Sequence, residues 1–425
     1  MKVLVIGSGG REHALVWKLS QSPLVKEIFC APGNAGIGAI AKLVPIAVDQ
    51  IFSLLQFAQK EKIDWTVVGP ELPLSLGIVD QFQKEGLKIF GPSQKAAIVE
   101  SSKIFTKQFC KRHHIPTADF EIFDSYEKAK TFLFHREKFP VVIKADGLAQ
   151  GKGVVVAATK KESLDALEDM MQNQKLGSAG RQVVIEDFLE GEEATYMIVT
   201  DSQNYVAFDS SQDHKRIGDF DTGPNTGGMG AYSPAPIVDS LMREKIHKKI
   251  IEPTLKGLAQ EERAYQGVLY AGLMIYQGEP SLIEFNCRFG DPECQALLFR
   301  LKTDLMEIIQ SVDQKKINQI KINFDSKSSV CVVMASFGYP GEYSTGHEIR
   351  GLNLVNSQDV FIFHAGTDKK GAQIVTHGGR VLGVTALGEN LQMAIKKAYE
   401  GISYITWNNA YFRKDIGSKG LKDES

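Results

Sequence analysis

The chain has 425 residues, and its 49 Lys and Arg against 51 Asp and Glu give a formal net charge of −2. This balance argues against a polybasic protein that binds nucleic acid or a membrane surface, although a local basic groove is compatible with it. With 43% hydrophobic and 24% charged residues, the composition excludes a disordered chain, and the length predicts about two to four globular domains.

The five cysteines form no C-x-x-C pair, so we expect reduced thiols rather than disulfides or a zinc site. The apolar run at residues 3–6 is too short for a signal peptide. No window of about 18 uncharged apolar residues occurs, as a membrane span would need. We therefore expect a cytoplasmic protein.

Residues 1 to about 95 alternate β-rich and helical runs. Strands are predicted at residues 2–6, 28–31, 65–68 and 88–90, each followed by a glycine or proline turn. This alternation is typical of βαβ units in an open parallel sheet. Ligands bind such sheets beyond the carboxyl ends of the strands, where these turns lie.

Beyond residue 95 the pattern changes. One long helix is predicted at 94–113, and strands at 141–145 and 154–158 enclose a glycine loop. Thr159 and Glu162 form a capping box that opens a helix at 160–172, and a strand follows at 183–189. Residues 267–275 and 282–286 predict an antiparallel hairpin. From about residue 328, strands at 330–336, 360–364 and 380–387 and a helix near 389–401 predict a small α+β domain.

The first candidate site is the turn Gly7-Ser8-Gly9-Gly10 ahead of the first helix. Backbone N–H groups and the helix dipole at such a turn attract an anion, although a tight turn without a ligand fits the residues as well. The dinucleotide-binding motif G-x-G-x-x-G is absent, because Glu12 stands where the third glycine would fall. This substitution argues against a nicotinamide-dependent oxidoreductase.

The second candidate is Lys144 with the loop that holds Gly147, Gly151, Lys152 and Gly153. Loop amides and a lysine suit phosphate groups, and a surface hairpin without a ligand is the alternative. The loop does not match the pattern G-x-x-x-x-G-K-[ST]. An unpaired ammonium in an apolar strand is costly, which favours a bound anion beside Lys144.

The third candidate lies on the predicted strand at 282–286. Alternate residues on a strand share a face, so Glu284, Asn286 and Arg288 are expected to point together. A carboxylate and an amide oxygen suit Mg²⁺, and Arg288 can bind a carboxylate or a phosphate through two N–H groups. The polar, exposed face of an edge strand is the alternative.

Two further segments are polar. The acidic stretch with Glu186 and Glu193 could contact an adenine and a ribose, or could be a solvated turn. Asp213 and Lys215 precede a glycine-rich run at 218–230, which predicts either a polar substrate pocket or a long surface loop.

These segments, in this order, resemble the glycinamide ribonucleotide synthetase family, a group of ATP-grasp ligases in purine biosynthesis. The resemblance extends through nearly the whole chain and is carried by the motifs at residues 3–13, 144–149, 222–230, 284–293 and 413–417. It implies an α/β and α+β multidomain chain: an N-terminal open parallel α/β domain (1–103), an ATP-grasp domain (104–325) with a lid-like subdomain at about 120–190, and a small C-terminal α+β domain (326–425).

The reaction implied by the resemblance uses ATP, glycine and 5-phosphoribosylamine and gives glycinamide ribonucleotide, ADP and phosphate. Glycine would first be phosphorylated to glycyl phosphate, which the phosphoribosylamine nitrogen then attacks. The resemblance also implies Mg²⁺ or Mn²⁺ as the metal and a monomeric, monofunctional enzyme.

The resemblance implies roles for individual residues. The implied ATP contacts are Lys103, Lys144, Gly147, Gly151, Lys152, Gly153, Glu186, Leu189 and Glu193. The implied metal ligands are Glu284 and Asn286. The implied catalytic residues are Lys144, Asp213, Lys215 and Arg288. The implied substrate contacts are Gly9, Gly10, Asn34, Glu71, Asp221, Thr222, Gly223 and Arg288.

One feature departs from the wider ATP-grasp pattern, in which the strand before the metal-binding strand often supplies another carboxylate. Residues 268–276 contain none.

Two rival hypotheses remain beside the oxidoreductase. One is another ATP-grasp enzyme of purine biosynthesis that uses a different carboxylate, such as formate or bicarbonate. The other is a non-catalytic nucleotide-binding regulator, against which the pair Glu284 and Asn286 argues.

Overall fold

A computed structural model of the chain describes residues 1–148, 153–173, 175, 177–355 and 357–424. In the part of the chain so described, no helix is long and apolar enough to cross a membrane. The five cysteines are buried and free, as expected.

The N-terminal part of the chain is a parallel sheet with helices. Its strands are β1 (Lys2–Gly7), β2 (Glu27–Pro32), β3 (Lys42–Leu43), β4 (Trp65–Val68) and β5 (Ile89–Phe90), paired in the order β3-β2-β1-β4-β5. Its helices are α1 (Gly10–Ser20), α2 (Ile51–Glu61), α3 (Glu71–Ser75), α4 (Ile78–Lys84) and α5 (Gln94–Ser101). Apolar strands β1 and β4 are buried, as expected where helices cover a parallel sheet. The predicted open parallel sheet is confirmed.

The single helix predicted at 94–113 is wrong. The structure has α5 and then a separate helix, α6 (Lys103–Arg112), because Ser102 is extended and caps α6 through its hydroxyl. Asp146 fixes this break, since its carboxylate accepts hydrogen bonds from the Ser102 hydroxyl and from Ile104 N, each at 3.0 Å. The break puts Lys103 in the first turn of α6, next to the glycine loop.

A second sheet follows. Its elements are β6 (Phe120–Phe123), α7 (Tyr126–His135), β7 (Val141–Ala145), β8 (Val154–Ala157), α8 (Lys160–Met171) and β9 (Val183–Asp187), with the strands antiparallel in the order β6-β9-β7-β8. The Thr159 hydroxyl accepts from Glu162 N at 3.2 Å, which agrees with the predicted start of α8. Gly151 and Lys152 of the loop between β7 and β8 lie outside the described residues.

A third, antiparallel sheet is built from β10 (Glu192–Asp201), β11 (Tyr205–Ala207) and a later hairpin. Between them come β12 (Gln212–Asp213), β13 (Arg216–Gly218), β14 (Thr222–Asn225), β15 (Gly230–Ser233), α9 (Ser240–Ile246) and α10 (Glu252–Gln260). The predicted hairpin is β16 (Gln266–Tyr276) with β17 (Glu279–Asn286), and the strand order is β11-β10-β16-β17. Helices α11 (Glu293–Arg300) and α12 (Leu305–Asp313) follow.

The C-terminal part contributes β18 (Ser328–Ser336), β19 (Val360–His364), β20 (Thr367–Lys370), β21 (Gln373–Thr376), β22 (Arg380–Gly388), α13 (Leu391–Ser403) and β23 (Ala410–Tyr411). Its main sheet has the order β12-β15-β18-β22-β19, with β23 beside β18. Strands β12 and β15 belong to the middle of the chain, so this sheet crosses the division predicted at residue 326. The residues just after β12 therefore lie between the third sheet and the C-terminal sheet.

Candidate active site

The carboxylate of Glu284 lies in a region that we call the cleft, among four cationic side chains: Lys103, Lys144, Lys215 and Arg288. On β17, Glu284 faces Gly272 of β16, which leaves the carboxylate room beside the strand. Lys215 Nζ lies 3.5 Å from Glu284 Oε1 and 3.0 Å from Glu193 Oε2, so one lysine bridges two carboxylates. The Glu284 side chain is 36% exposed, which leaves oxygen atoms accessible to a ligand.

The charges around Glu284 keep it ionised. Burial would raise the pKa of Glu284, but four cations, Lys215, Lys144, Lys103 and Arg288, together lower it to about 2. For Lys215, burial would lower the pKa, and the carboxylates of Glu193 and Glu284 raise it well above its usual value. At neutral pH the cleft therefore holds an anion surrounded by ammonium and guanidinium groups.

Lys144 is part of a buried three-residue cluster. Its Nζ lies 2.9 Å from Glu186 Oε1, and Lys107 Nζ lies 2.8 Å from Glu186 Oε2. Lys144 also donates to Ile283 O at 3.3 Å, next to Glu284 on β17. Two lysines thus share the carboxylate of Glu186, and Lys144 also links this cluster to β17.

Lys103, the first residue of α6, contacts the glycine loop between β7 and β8. Its Nζ donates to Gly147 O at 2.9 Å, and Gly147 has φ +123, a conformation that side chains other than glycine rarely adopt. Burial lowers the pKa of Lys103, although Glu284 opposes the shift. Gly153 ends the loop and bonds Ala145 through its carbonyl at 2.8 Å.

Arg288 lies just past β17 and is held from several sides. Its Nη2 donates to Glu100 Oε1 at 2.7 Å and to Asn286 Oδ1 at 3.0 Å, and its Nε donates to Glu71 Oε2 at 3.3 Å. The two carboxylates raise the pKa of Arg288 although burial opposes this. Of the three residues expected on one face, Asn286 and Arg288 are joined by a hydrogen bond, and the charge of Arg288 helps to lower the pKa of Glu284. Glu71, expected to contact substrate, is a partner of Arg288.

The glycine turn after β1 is filled by the protein's own carboxylate. Glu12 Oε2 accepts from Gly9 N at 2.6 Å, and Arg11 Nε lies 2.6 Å from Glu12 Oε1. A Cβ at Gly7 or Gly69 would collide with the Glu12 side chain. Glu12 therefore occupies the space at the start of α1 that a dinucleotide pyrophosphate would need.

A cavity of about 1160 Å³ opens between the N-terminal sheet and the C-terminal part of the chain. Its wall includes Gly9, Asn34, Lys369 and Arg380. The Asn34 amide donates to Ser8 O and to His364 O, each at 2.8 Å, and so joins the two walls. Gly10 does not line this cavity; it is buried, and a Cβ there would meet Gln295.

The polar residues from the end of β12 onward fall into two groups. Asp213 lies near Lys215, and burial together with Glu293 raises its pKa well above the usual value, which favours its protonated form. Asp221, by contrast, lies 2.9 Å from Arg413 Nη1, on the hairpin of β13 and β14. Thr222 and Gly223 are exposed on that hairpin.

Sequence reasoning missed several partners of the site. Glu100, Lys107 and Arg380 were not singled out, because each comes from an element distant in the sequence and carries no motif. Arg380 donates to the backbone oxygens of Asp291 at 2.6 Å and Gly227 at 2.5 Å. It thereby joins the glycine-rich run at 218–230 to the segment between β17 and α11. A usable signal for Lys107 was its place one helical turn after Lys103.

The donor atoms of Glu284 and Asn286 fit a divalent metal ion. Both offer hard oxygen atoms, and the ionised Glu284 provides the negative charge that Mg²⁺ or Mn²⁺ prefers. Over the described ranges, no group of three or more His, Cys, Asp or Glu residues could enclose a metal ion. A metal bound here would take most of its ligands from phosphate oxygens and water.

Comparison with known proteins assigns the chain to a family. Models of phosphoribosylglycinamide synthetase match at residues 1–100 (N domain), 101–294 (ATP-grasp (A) domain) and 329–419 (C domain). The phosphoribosylamine–glycine ligase of Escherichia coli strain K12 is 52% identical over 429 residues, which cover 100% of both chains. The chain belongs to the phosphoribosylglycinamide synthetase family. The family expected from the sequence motifs is confirmed.

Solved structures agree with this membership. The crystal structure of phosphoribosylamine–glycine ligase from Thermotoga maritima is 32% identical, with a TM-score of 0.85 over 98% of this chain and 100% of that one. Biotin carboxylase from Campylobacter jejuni is 16% identical, with a TM-score of 0.74 over 98% and 94% of the chains, a likeness of fold alone. The predicted multidomain ATP-grasp fold of a phosphoribosylglycinamide synthetase, and with it the use of ATP, is confirmed.

Proposed function

We propose that the chain joins glycine to 5-phosphoribosylamine with cleavage of ATP, giving glycinamide ribonucleotide, ADP and phosphate in purine biosynthesis. The main structural support is the convergence of Lys103, Lys144, Lys215 and Arg288 around Glu284. Phosphoryl transfer depends on alignment and on neutralising negative charge, which such a set of cations supplies. Relatives that match the full chain and are named phosphoribosylamine–glycine ligase point to the same activity.

The reaction proceeds in two steps. A carboxylate oxygen of glycine attacks the γ-phosphorus of ATP, the bond to the β,γ-bridging oxygen breaks, and glycyl phosphate and ADP form. The amine nitrogen of phosphoribosylamine then attacks the acyl carbon, the bond to phosphate breaks, and the nitrogen loses a proton. Glycyl phosphate hydrolyses in water, so the cleft must exclude solvent during the transfer.

The proposed roles follow the positions of the side chains. Lys103 and Lys144 bind the phosphates of ATP, and Lys215 and Arg288 hold the transferring phosphoryl group or the glycine carboxylate. For Asp213, which lies near Lys215, we propose a role beside the reacting groups. Glu284 and Asn286 would hold Mg²⁺ or Mn²⁺, which when bound supplies further positive charge to the phosphates.

Other proposed contacts surround this centre. We assign the phosphoribosyl end to the 1160 Å³ cavity, with its wall of Gly9 and Asn34, and the adenine and ribose to the strand end at Glu186, Leu189 and Glu193. The substrate roles of Gly10, Glu71, Asp221, Thr222 and Gly223, the domain limits at 103 and 325, the monomeric state and the cytoplasmic location stay predictions.

ADP release tests the activity. The purified protein is given Mg²⁺-ATP, glycine and phosphoribosylamine formed in the assay from ribose 5-phosphate and ammonia, and each component is omitted in turn. We expect ADP release that requires both glycine and the amine. Release with formate or bicarbonate in place of glycine would move the chain to another ATP-grasp activity. Folded protein that releases no ADP under any combination would contradict the proposal.

A further inference from the structure

The segment at residues 411–419, which we call the C-terminal strap, binds the β13–β14 hairpin. Its Arg413 is fully buried, at 0% exposure. From Nη1, Arg413 donates to Arg216 O and to an Asp221 carboxylate oxygen, each at 2.9 Å. From Nε and Nη2 it donates to the two carboxylate oxygens of Asp415, at 2.8 and 2.7 Å. One guanidinium group therefore links the strap to β13 and to the turn between β13 and β14.

Further hydrogen bonds extend this contact along the hairpin. They are Phe220 N to Asp415 Oδ2 at 2.8 Å, Lys414 N to Asp219 Oδ1 at 2.8 Å, and Tyr411 OH to Ile217 O at 2.9 Å. The two strands of the hairpin are short, and its tip carries exposed residues, including Phe220. Its position is thus fixed largely by the strap.

The strap also reaches the residue next to Lys215. Gly417 N donates to His214 Nε2 at 3.3 Å, and His214 Nδ1 lies 3.2 Å from Gly230 O. These partners require a neutral imidazole with its proton on Nδ1, and burial, with the nearby strap cations, lowers the pKa of His214 to about 3. Neighbouring side chains on an extended segment point to opposite sides, so His214 faces the strap while Lys215 faces the cleft.

We infer that Arg413 is a positioning residue for the ligase reaction: the strap it anchors holds Lys215 against Glu193 and Glu284. This inference rests on the proposed function for its catalytic consequence. Lys215 directly precedes β13, the first strand of the hairpin. Thr226, which directly follows β14, donates from its backbone N to Lys215 O at 2.7 Å. Movement of the hairpin therefore moves Lys215, and a displacement of about 1 Å at a reacting centre can cost on the order of 100-fold in rate.

The test compares Arg413→Lys with Arg300→Lys as a matched control. Arg300 is also buried, at 4% exposure, and pairs with Asp209 at 2.9 Å, but it contacts neither the strap nor Lys215 through any described bond. We expect Arg413→Lys to lower kcat about 10-fold or more, with the KM for ATP changed less than about threefold. Arg300→Lys should lower the melting temperature with kcat within about twofold of wild type.

A double-mutant cycle with Lys215→Met separates positioning from general stabilisation. If Arg413 acts through Lys215, adding Arg413→Lys to Lys215→Met changes kcat by less than about twofold. If Arg413 only stabilises the fold, the two losses multiply, and that result would overturn the inference. Should Arg413→Lys fail to fold, Asp415→Asn weakens the same anchor with a smaller change and takes its place in the cycle.

A second readout does not need activity. Trace acetylation followed by mass spectrometry measures the reactivity of Lys215, which ion pairing to two carboxylates suppresses. We expect Lys215 to be acetylated several-fold faster in the Arg413→Lys protein and at the wild-type rate in Arg300→Lys. Equal rates in all three proteins would overturn the inference. A wild-type protein without ligase activity would refute the proposed function, while the acetylation rates would still decide whether Arg413 positions Lys215.

Discussion

At the scale of single residues, the candidate site works by sharing charges among several partners. Lys215 bridges Glu193 and Glu284, and Glu186 pairs with both Lys107 and Lys144. Substituting an outer member of either group, such as Glu284 or Lys144, leaves the central residue paired with its other partner, so the fold should tolerate the change. The effect of a substitution on catalysis can then be measured apart from unfolding.

Glu284→Gln is expected to lower kcat by a few orders of magnitude while the Kd for ATP changes only a few-fold. The reason is that a charge beside the transferring phosphate acts mostly in the transition state. Lys215 keeps Glu193 as a partner in this variant. Steady-state kinetics and calorimetry measure the two effects. Glu279→Gln, at the exposed start of the same strand, is the control, and wild-type turnover in Glu284→Gln would remove Glu284 from the metal site.

Lys144→Ala is expected to weaken ATP binding, by about 10-fold or more, because a charge-assisted contact to phosphate is lost. Glu186 remains paired with Lys107 at 2.8 Å, so the fold should persist. Calorimetric titration with ATP measures the change, and Lys138→Ala, on an exposed lysine of the same region, is the control. An unchanged Kd would exclude Lys144 from the nucleotide site.

At the scale of elements, helix starts and strand ends determine where the site residues lie. The start of α6 at Ser102 places Lys103 and Lys107 one turn apart toward the cleft. The start of α1 is closed by Glu12, which fits between the ends of β1 and β4 because Gly7 and Gly69 carry no side chains. The start of α1 is thus closed by a side chain of the same helix, whereas the start of α6, which follows α5 directly, carries Lys103 beside Gly147.

Gly69→Ala is expected to destabilise the protein by about 1–3 kcal/mol, since the new Cβ collides with the buried Glu12 carboxylate and forces α1 away from β4. Chemical denaturation measures the free energy of unfolding. Gly341→Ala, whose Cβ would meet only Gly338 O at 3.2 Å, is the control. A Gly69→Ala protein as stable as wild type would show that the Glu12 position is not tightly packed.

At the scale of the whole molecule, the N-terminal and C-terminal parts meet around buried neutral histidines. His364 N donates to His13 Nδ1 at 2.7 Å, and Asn34 bonds His364 O. Burial lowers the pKa of His13 to about 3, helped by the neighbouring His364, and burial lowers that of His364 to about 4. This contact closes one side of the cavity proposed for the phosphoribosyl group.

These histidines make stability depend on pH. In the unfolded chain a histidine has a pKa near 6.5, so below that value the unfolded state binds more protons than the folded state. Stability is therefore complete above about pH 6.5 and is lost as the pH falls toward the folded-state pKa, by about 1.4 kcal/mol per pH unit for each histidine.

His13→Asn is expected to reduce this slope by about 1.4 kcal/mol per pH unit between about pH 4 and pH 6, because one proton-binding group is removed. The Asn amide oxygen can replace Nδ1 as the acceptor for His364 N. Denaturation at a series of pH values measures the slope. The control is His114→Asn, which removes an exposed histidine outside this contact; a loss of equal size there would contradict the assignment to His13.

Features that are local or that depend on repeating patterns could be predicted from the sequence alone. Alternation of apolar strands with glycine turns predicted the parallel sheet, and period-two spacing predicted that Glu284 and Asn286 share a strand face. Glu12 in place of a third glycine argues against a dinucleotide site, and in the structure its carboxylate accepts a hydrogen bond from Gly9 N at that turn. Ordered motifs predicted the family.

Pairs of residues from distant parts of the chain, in contrast, become visible only in the folded structure. Glu186 pairs with Lys107, Glu100 holds Arg288, and Arg413 fixes the hairpin beside Lys215 across about 200 residues. No local spacing encodes such pairs, because each depends on how sheets and helices pack. The same holds for the C-terminal sheet: two short strands from the middle of the chain join it, since backbone groups at a sheet edge pair with whatever strand the fold brings there.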